Sequence, residues 1–189
     1  RRAKRRPGTD LVWRPDLWSG PVPATGVAAA PAKVRISGHV TIFHDCTEST
    51  LTLRQIRNPV DADAAPFGLR MDAFDFDGTF LSMAIDLPDD AAAGLSPRHI
   101  VQFDAVLEQE REVEVFARLN VKHGPNMEQL VQNLSRSGAA VTAEFDLAYA
   151  RIDMTRIERA WLDVIFGKPA MNQITLRDAT VSRRTRAEI

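Results

Sequence analysis

Residues 43–46 read Phe-His-Asp-Cys, setting a histidine, an aspartate and the only cysteine of the chain side by side. A Cys–His nucleophile pair needs both side chains within hydrogen-bond reach, an oxyanion hole and a third group that orients the base. The tetrapeptide continues the run His39-Val40-Thr41-Ile42. On a strand, His44 and Cys46 share one face about 7 Å apart, and Asp45 points to the other. Asp45 then cannot orient His44 locally, and no glycine follows Cys46 to shape a nucleophile elbow. A free cysteine is also commonly buried as a small hydrophobe. The expectation is therefore a strand end with a packed Cys46 and a hydrogen-bonded His44. A hydrolase using His44/Cys46 is the least supported functional class, and the chain is read as no enzyme.

Metal and phosphate chemistry find little footing. Asp72, Asp75 and Asp77 carry the hard oxygens that calcium prefers. Yet Asp75 and Asp77 flank a turn, where aspartate is favoured for bonding its own backbone. The histidines at 39, 44, 99 and 123 lack the short spacings of zinc sites, and the ten glycines are scattered singly. No metal site and no cofactor are expected.

A more informative set is spread along the chain. Between apolar positions stand Arg70 and Asp72, then Gln102 and Asp104, then Arg118 and Asn120, with Glu144, Asp146, Asp163 and Arg177 further on. Gathered on one sheet face, such forked donors and carboxylates grip sugar hydroxyls or the polar groups of a protein. Against sugar binding stands a shortage of aromatic platforms, since only Trp161 and Tyr149 lie in strand-like positions and either can belong to the core. Arg70, Asp72, Arg118, Asn120 and Trp161 form the expected ligand-binding set, centred on Arg70, Asp72, Arg118 and Asn120, with Arg118 as its leading member. The competing reading is a solvated face whose salt bridges are each worth under about 1 kcal/mol.

Elements with a period of two must position these residues. Val113, Val115, Ala117, Leu119 and Val121 alternate without a break and end at the turn His123-Gly124-Pro125-Asn126. Further alternating runs include 40–46, 51–53, 69–73, 100–107, 141–149 and 162–166, and Ile174, Leu176 and Val181 close the chain. A bulge is expected between Ala73 and Phe74, and Asp77-Gly78 reads as a hairpin turn. Met127–Leu134 is assigned to a strand, with single helical turns at 88–93 and 154–160. No gap is long enough for the crossover helices of a parallel sheet. The fold class is all-β, an antiparallel β-sandwich of jelly-roll or Greek-key type.

The 189 residues suit one domain, residues 36–189, preceded by an extended basic and Pro/Ala/Gly-rich arm, residues 1–35. Trp13 and Trp18 are expected to anchor that arm to its own domain, with a docking peptide for another protein as the alternative. A formal charge of −1 favours no nucleic acid partner, and no apolar stretch is long enough to span a membrane. The basic runs at both ends are read as solvated tails. One cysteine and no secretory signal suit the cytoplasm. The chain opens on Arg1, so a preceding segment with any targeting information is expected.

The strings LVWRPDLW, FHDC-x-x-S-x-LTLRQIRN, APFGLRMD, ARLNVKHGPN-x-EQ, EFDLAY and MNQITLRD-x-T-x-SRR-x-RAE together resemble an uncharacterised alphaproteobacterial protein family, from about Trp13 to the C-terminus. That resemblance implies no activity and no catalytic residues. At the level of fold, the succession of strands is similar to carbohydrate-binding, galactose-binding-like jelly rolls. The function expected is a non-catalytic binding module, carbohydrate-binding through a polar sheet face. The alternative is a structural or docking subunit of a larger assembly, so the expected partner is a carbohydrate or a protein.

Overall fold

Along residues 115–121 every second side chain is apolar, and a strand sends alternate side chains to opposite faces. Val115, Ala117, Leu119 and Val121 are accordingly buried, while Phe116, Arg118 and Lys122 point outward. The computed structural model describes residues 6–60 and 65–187, and this pattern organises nearly all of them. The strands are β1 (Thr9–Trp13), β2 (Gly26–Val27), β3 (Lys33–Arg35), β4 (Val40–His44), β5 (Thr52–Arg57), β6 (Phe67–Ala73) and β7 (Leu81–Asp86). They continue as β8 (His99–Gln109), β9 (Val115–His123), β10 (Asn126–Asn133), β11 (Ser135–Ser137), β12 (Ala140–Asp146), β13 (Ile157–Phe166) and β14 (Asn172–Thr185). Two short helices, α1 (Asp16–Ser19) and α2 (Asp89–Ala93), interrupt them. Among the described residues no helix is long and apolar enough to cross a membrane.

The strands form two antiparallel sheets. Sheet I runs β11-β12-β8-β14-β6-β5-β2, and sheet II runs β10-β9-β13-β7-β4-β3. Between them lies one continuous apolar core, with Phe103, Phe145, Leu69, Met71, Leu176 and Val181 from sheet I meeting Val40, Ile42, Met83, Leu119, Leu162 and Phe166 from sheet II. The chain is a β-sandwich.

β14 is the spine of sheet I. One of its edges pairs with β8 along nearly its whole length. The other edge is shared, because β6 takes residues 172–176 and β1 takes residues 181–184. A register shift between Leu176 and Asp178 changes the phase. Ile174 and Leu176 before it and Ala179 and Val181 after it therefore all reach the core.

Of the segment 1–35, the described part contributes β1, α1, β2 and β3 to the sandwich. α1 carries Leu17 and Trp18 into the core, and the Trp18 indole N–H donates to the Leu176 carbonyl at 3.0 Å. Gln55 holds the following turn. Its amide nitrogen donates to Leu17 O and Gly20 O, both at 2.8 Å, and its oxygen accepts from Val22 N at 3.0 Å. Trp13 packs edge-on against His39 with ring centroids 5.1 Å apart.

Two local expectations need correction. Asp77-Gly78 is not a hairpin turn, because β6 belongs to sheet I and β7 to sheet II. Residues 74–80 carry the chain across the roughly 10 Å between sheets, and Phe76 turns inward while Phe74 stays exposed. The phase change after Ala73 thus marks the end of β6 and not a bulge within it. The second correction is at 154–160, where a 3-10 turn over Met154–Arg156 gives way at once to β13.

The crossover is laced to the loop after β4. Asp45 accepts from Thr79 N at 2.7 Å, from Phe80 N at 3.1 Å and from the Thr79 hydroxyl. Asp77 accepts from Thr47 N at 3.1 Å. The Thr50 hydroxyl donates to Asp75 O at 3.1 Å and accepts from Asp75 N at 3.0 Å. Gly78 lies so close that an added Cβ would stand 2.5 Å from Asp45 Oδ1 and 3.0 Å from Cys46 N. The hydrogen bond from Thr79 holds the Asp45 carboxyl below its ordinary range.

Leu119 is fully buried, and Leu119→Ala is expected to cost about 2–5 kcal/mol in urea unfolding. Asp45 gives a pH signature. A carboxylate with a lowered folded-state pKa stabilises fully above its ordinary value of about 4 and loses that contribution as pH falls below it. Asp45→Asn is expected to lower the melting temperature at pH 7 and to flatten its decline in acid. Parallel acid profiles for the variant and the parent would contradict this.

Candidate binding face

His44 and Cys46 do not form a nucleophile pair. His44 is buried on the inner side of β4, and its Nε2–H donates to the Ala30 carbonyl at 2.7 Å. Its Nδ1 is then the acceptor of the Cys46 backbone N–H at 3.1 Å, so both ring nitrogens are committed to main chain. Burial, aided by the neighbouring Asp77, pushes the Cys46 thiol up and away from the thiolate. Among the described residues no three His, Cys, Asp or Glu side chains gather as metal ligands.

The outward faces carry the remaining chemistry. Register on sheet II sets residues in rows that cross the strands. One row runs Arg35, Thr41, Ala84, Asp163, Arg118 and Val131 from β3 to β10. On one side of it runs Phe43, Ser82, Ile165 and Phe116, and on the other Asp86, Trp161, Asn120 and Gln129. Thr41, Ala84 and Asp163 are buried although they point outward. Across β4, β7 and β13 the middle row is low and forms the floor of a shallow trough, roughly 10 Å long at about 4.8 Å per strand, while Arg35 and Val131 at the ends of the row are exposed. Its walls stand about 7 Å to either side.

A polar network joins the middle row to the row bearing Trp161. Arg118 donates to Asp163 Oδ2 through Nε at 3.2 Å and Nη2 at 2.9 Å. Asn120 Nδ2 donates to the same oxygen at 2.9 Å, and Gln129 Nε2 donates to Asn120 Oδ1 at 2.9 Å. Asn120 is 0% exposed and Asp163 7%, and a carboxylate so placed is retained because charged and neutral donors converge on it. They converge on one oxygen. Among the described residues no donor reaches Asp163 Oδ1. Trp161 forms the adjoining wall. The Arg159 guanidinium lies 4.4 Å from the centre of its ring and donates to Asp86 Oδ1 from Nε at 3.1 Å.

Three of the five sequence-expected residues, Arg118, Asn120 and Trp161, therefore meet on sheet II. Arg70 and Asp72 do not join them. They lie on β6, on the outer face of sheet I, where Arg70 forks onto Asp72 at 2.9 and 3.2 Å and Gln173 donates to Asp72 at 3.0 Å. Strand phase says that a side chain points outward, but it does not say from which sheet. Gln129, Arg159 and Asp86 were missed as neighbours of the set. For Gln129 a signal existed, because a two-residue turn at Gly124-Pro125 pairs His123 with Asn126 and hence Asn120 with Gln129.

The sandwich is similar in fold to known β-rich structures. The enzymatically active domain of bacteriophage CBA120 tailspike protein 4 superposes with a TM-score of 0.51 at 8% identity, over 76% of this chain and 19% of that one. The chain thus spans about a fifth of the tailspike chain, and the likeness is one of fold. The family 11 carbohydrate-binding module from Clostridium thermocellum, in complex with a β-1,3-1,4-mixed-linked tetrasaccharide, gives 0.48 at 12% identity over 87% of this chain and 98% of the module. TmCBM61 in complex with β-1,4-galactotriose gives 0.40 at 15% identity, over 75% and 86% of the two chains. The chain belongs to a family of unknown function (DUF6478), whose model matches residues 1–189. No curated protein matches it in sequence.

The Arg118–Asp163 pair makes Arg118 structural as well as available. Arg118→Ala leaves a buried carboxylate with Asn120 as its one remaining side-chain donor, and is expected to cost about 1–3 kcal/mol in thermal or urea unfolding. A variant as stable as the parent would mean that water replaces the guanidinium without loss.

Proposed function

We propose that the protein is a non-catalytic binding module that holds a carbohydrate in the trough of sheet II. The observation that carries this reading is Asp163 Oδ1, a carboxylate oxygen fixed in the floor with no donor among the described residues. A sugar ring offers adjacent hydroxyls, and each both donates and accepts. Asp163 Oδ1 takes a hydroxyl hydrogen, and Arg118 Nη1, which Asp163 does not use, gives one to a neighbouring oxygen. The rigid ladder beneath fixes these groups in place, so little ordering cost falls on the protein when ligand arrives. Trp161 borders the floor, and the part of its ring that Arg159 does not cover supplies apolar contact for the sugar's C–H face.

A protein partner is the second reading. Met127 and Val131 on the edge strand β10 are 45% and 56% exposed and lie on the same outward side. Apolar side chains there suit a docked chain.

The test is affinity electrophoresis of the full chain in a panel of soluble neutral and acidic polysaccharides, followed by calorimetry on any that retard it. Trp161→Ala is expected to weaken retention roughly tenfold, about 1.4 kcal/mol, while the fold survives. Retention unchanged in Trp161→Ala overturns the trough as the site. No retention in any gel, together with loss of a co-purifying protein in Val131→Asp, decides for the protein partner.

A further inference from the structure

Among the described residues the edges of the two sheets are unequally guarded. An open strand edge invites pairing with another chain, and shortness, charge or a bulge blunts it. β2 and β11 have two and three residues, and β3 has three, with Lys33 and Arg35 exposed along it. β1 carries Asp10 and a register shift between Thr9 and Leu11. β10 has none of these devices. It runs for eight residues, Asn126–Asn133, in unbroken register with β9, and has no proline, lysine or arginine. Its single charge, Glu128, lies on the inward side opposite Val121 and accepts from Arg151 N at 3.2 Å.

Backbone parity determines what this edge offers. His123 and Asn126 close a two-residue turn, so that pair is hydrogen-bonded, and bonding to β9 recurs at Glu128, Leu130 and Gln132. The alternate groups flanking β9 turn the other way, since Gly124 N donates to Arg156 O at 3.0 Å and Glu114 O accepts from Gly167 N at 2.8 Å. The N–H and C=O groups of Met127, Gln129 and Val131 therefore point away from β9, and among the described residues they have no hydrogen-bond partner. These three residues also carry the outward side chains, the exposed apolar Met127 and Val131 with Gln129 midway between them.

Such a strand is its own complement. Turned about a two-fold axis beside Gln129, it meets a second β10 antiparallel, with Met127 opposite Val131 of the second copy and Gln129 opposite its own equivalent. These are the residues with open main-chain groups, so each pair exchanges two hydrogen bonds, and the apolar side chains cover each other on the outward side. An axis beside Glu128 would set two carboxylates face to face. An axis beside Leu130 would set Met127 against Asn133 and part the apolar pair.

We propose that the protein forms a two-fold symmetric dimer in which β10 pairs antiparallel with β10 of a second copy, joining sheet II of both into one continuous sheet. The dimer does not rest on the carbohydrate reading, because the floor of the trough on β4, β7 and β13 begins two strands in from this edge. It assigns the surface of the second reading to a copy of this chain. Residues opposite one another in an antiparallel pair share a face, so the outer faces of both copies open on the same side, and one long ligand can be held at two points.

The test is sedimentation velocity of the full chain from roughly 10 µM to roughly 1 mM, where a small interface populates both states. Amide hydrogen exchange is read by NMR at both ends of that range. A monomer–dimer equilibrium is expected, with exchange at Met127, Gln129 and Val131 slowing as concentration rises. The amides of Glu128 and Leu130, already bonded to β9, are expected to be protected throughout. Val131→Lys is expected to weaken dimerisation roughly tenfold or more. Met171→Lys, at an exposed apolar residue outside β10, is expected to leave it unchanged, and circular dichroism reports that each variant is folded. A monomer across the whole range overturns the second copy as the occupant of this edge. A dimer that Val131→Lys leaves intact, or in which the three amides stay fast, overturns β10 as its interface. Polysaccharide retention enters none of these readouts, so a failure here is separate from a failure of the trough.

Discussion

A β-sheet has two faces, and a sandwich can keep only the inner one of each sheet dry. Every other feature of this protein follows from that division. The inner faces use up the apolar half of each alternating strand, so the polar half has only the outer faces to occupy. Asn120 and Asp163 look like exceptions because they are buried on an outer face. Both point away from the opposing sheet, so their cover comes from the outer face itself. Desolvating Asp163 is costly, and the convergence of Arg118 and Asn120 offsets that cost on one oxygen only.

What the chain reveals unaided is phase. Alternation through Val115, Ala117, Leu119 and Val121 identifies the core side of β9, and the same logic places Arg118 and Asn120 outward. Alternation is silent on sheet membership, which depends on contacts far apart in sequence. Arg70 and Asp72 have the right phase and the wrong sheet, because β6 pairs with β14 and β5 while β9 pairs with β13 and β10. The misread turn at Asp77-Gly78 has the same origin. Its composition fits a hairpin, but Phe76, Asp45 and Thr79 pin it into a crossover, and those contacts come from other loops.

The Phe-His-Asp-Cys stretch shows how residues with chemical potential are spent on architecture. His44 spends both nitrogens on main chain, one on the loop bearing Ala30 and one on its own strand end. Asp45, facing away, ties the crossover. Cys46 lies beside these anchors with its thiol kept protonated. The three side chains look like a catalytic group in one dimension and diverge in three.

The position of β14 bears on how the protein comes to be folded. It is the middle strand of sheet I, with β8 on one edge and β6 and β1 sharing the other, yet its residues leave the ribosome after all of theirs. Until Asn172–Thr185 emerges, β6, β8 and β1 each wait with an open ladder, and Trp18 lacks the Leu176 carbonyl that receives its N–H. Sheet I therefore closes as a late event joining the two extremes of the chain, the kind of long-range pairing that slows folding and leaves strand edges exposed meanwhile. The nascent chain carries the open edges of β6, β8 and β1 until β14 appears, which makes that interval the one of greatest exposure to misassociation.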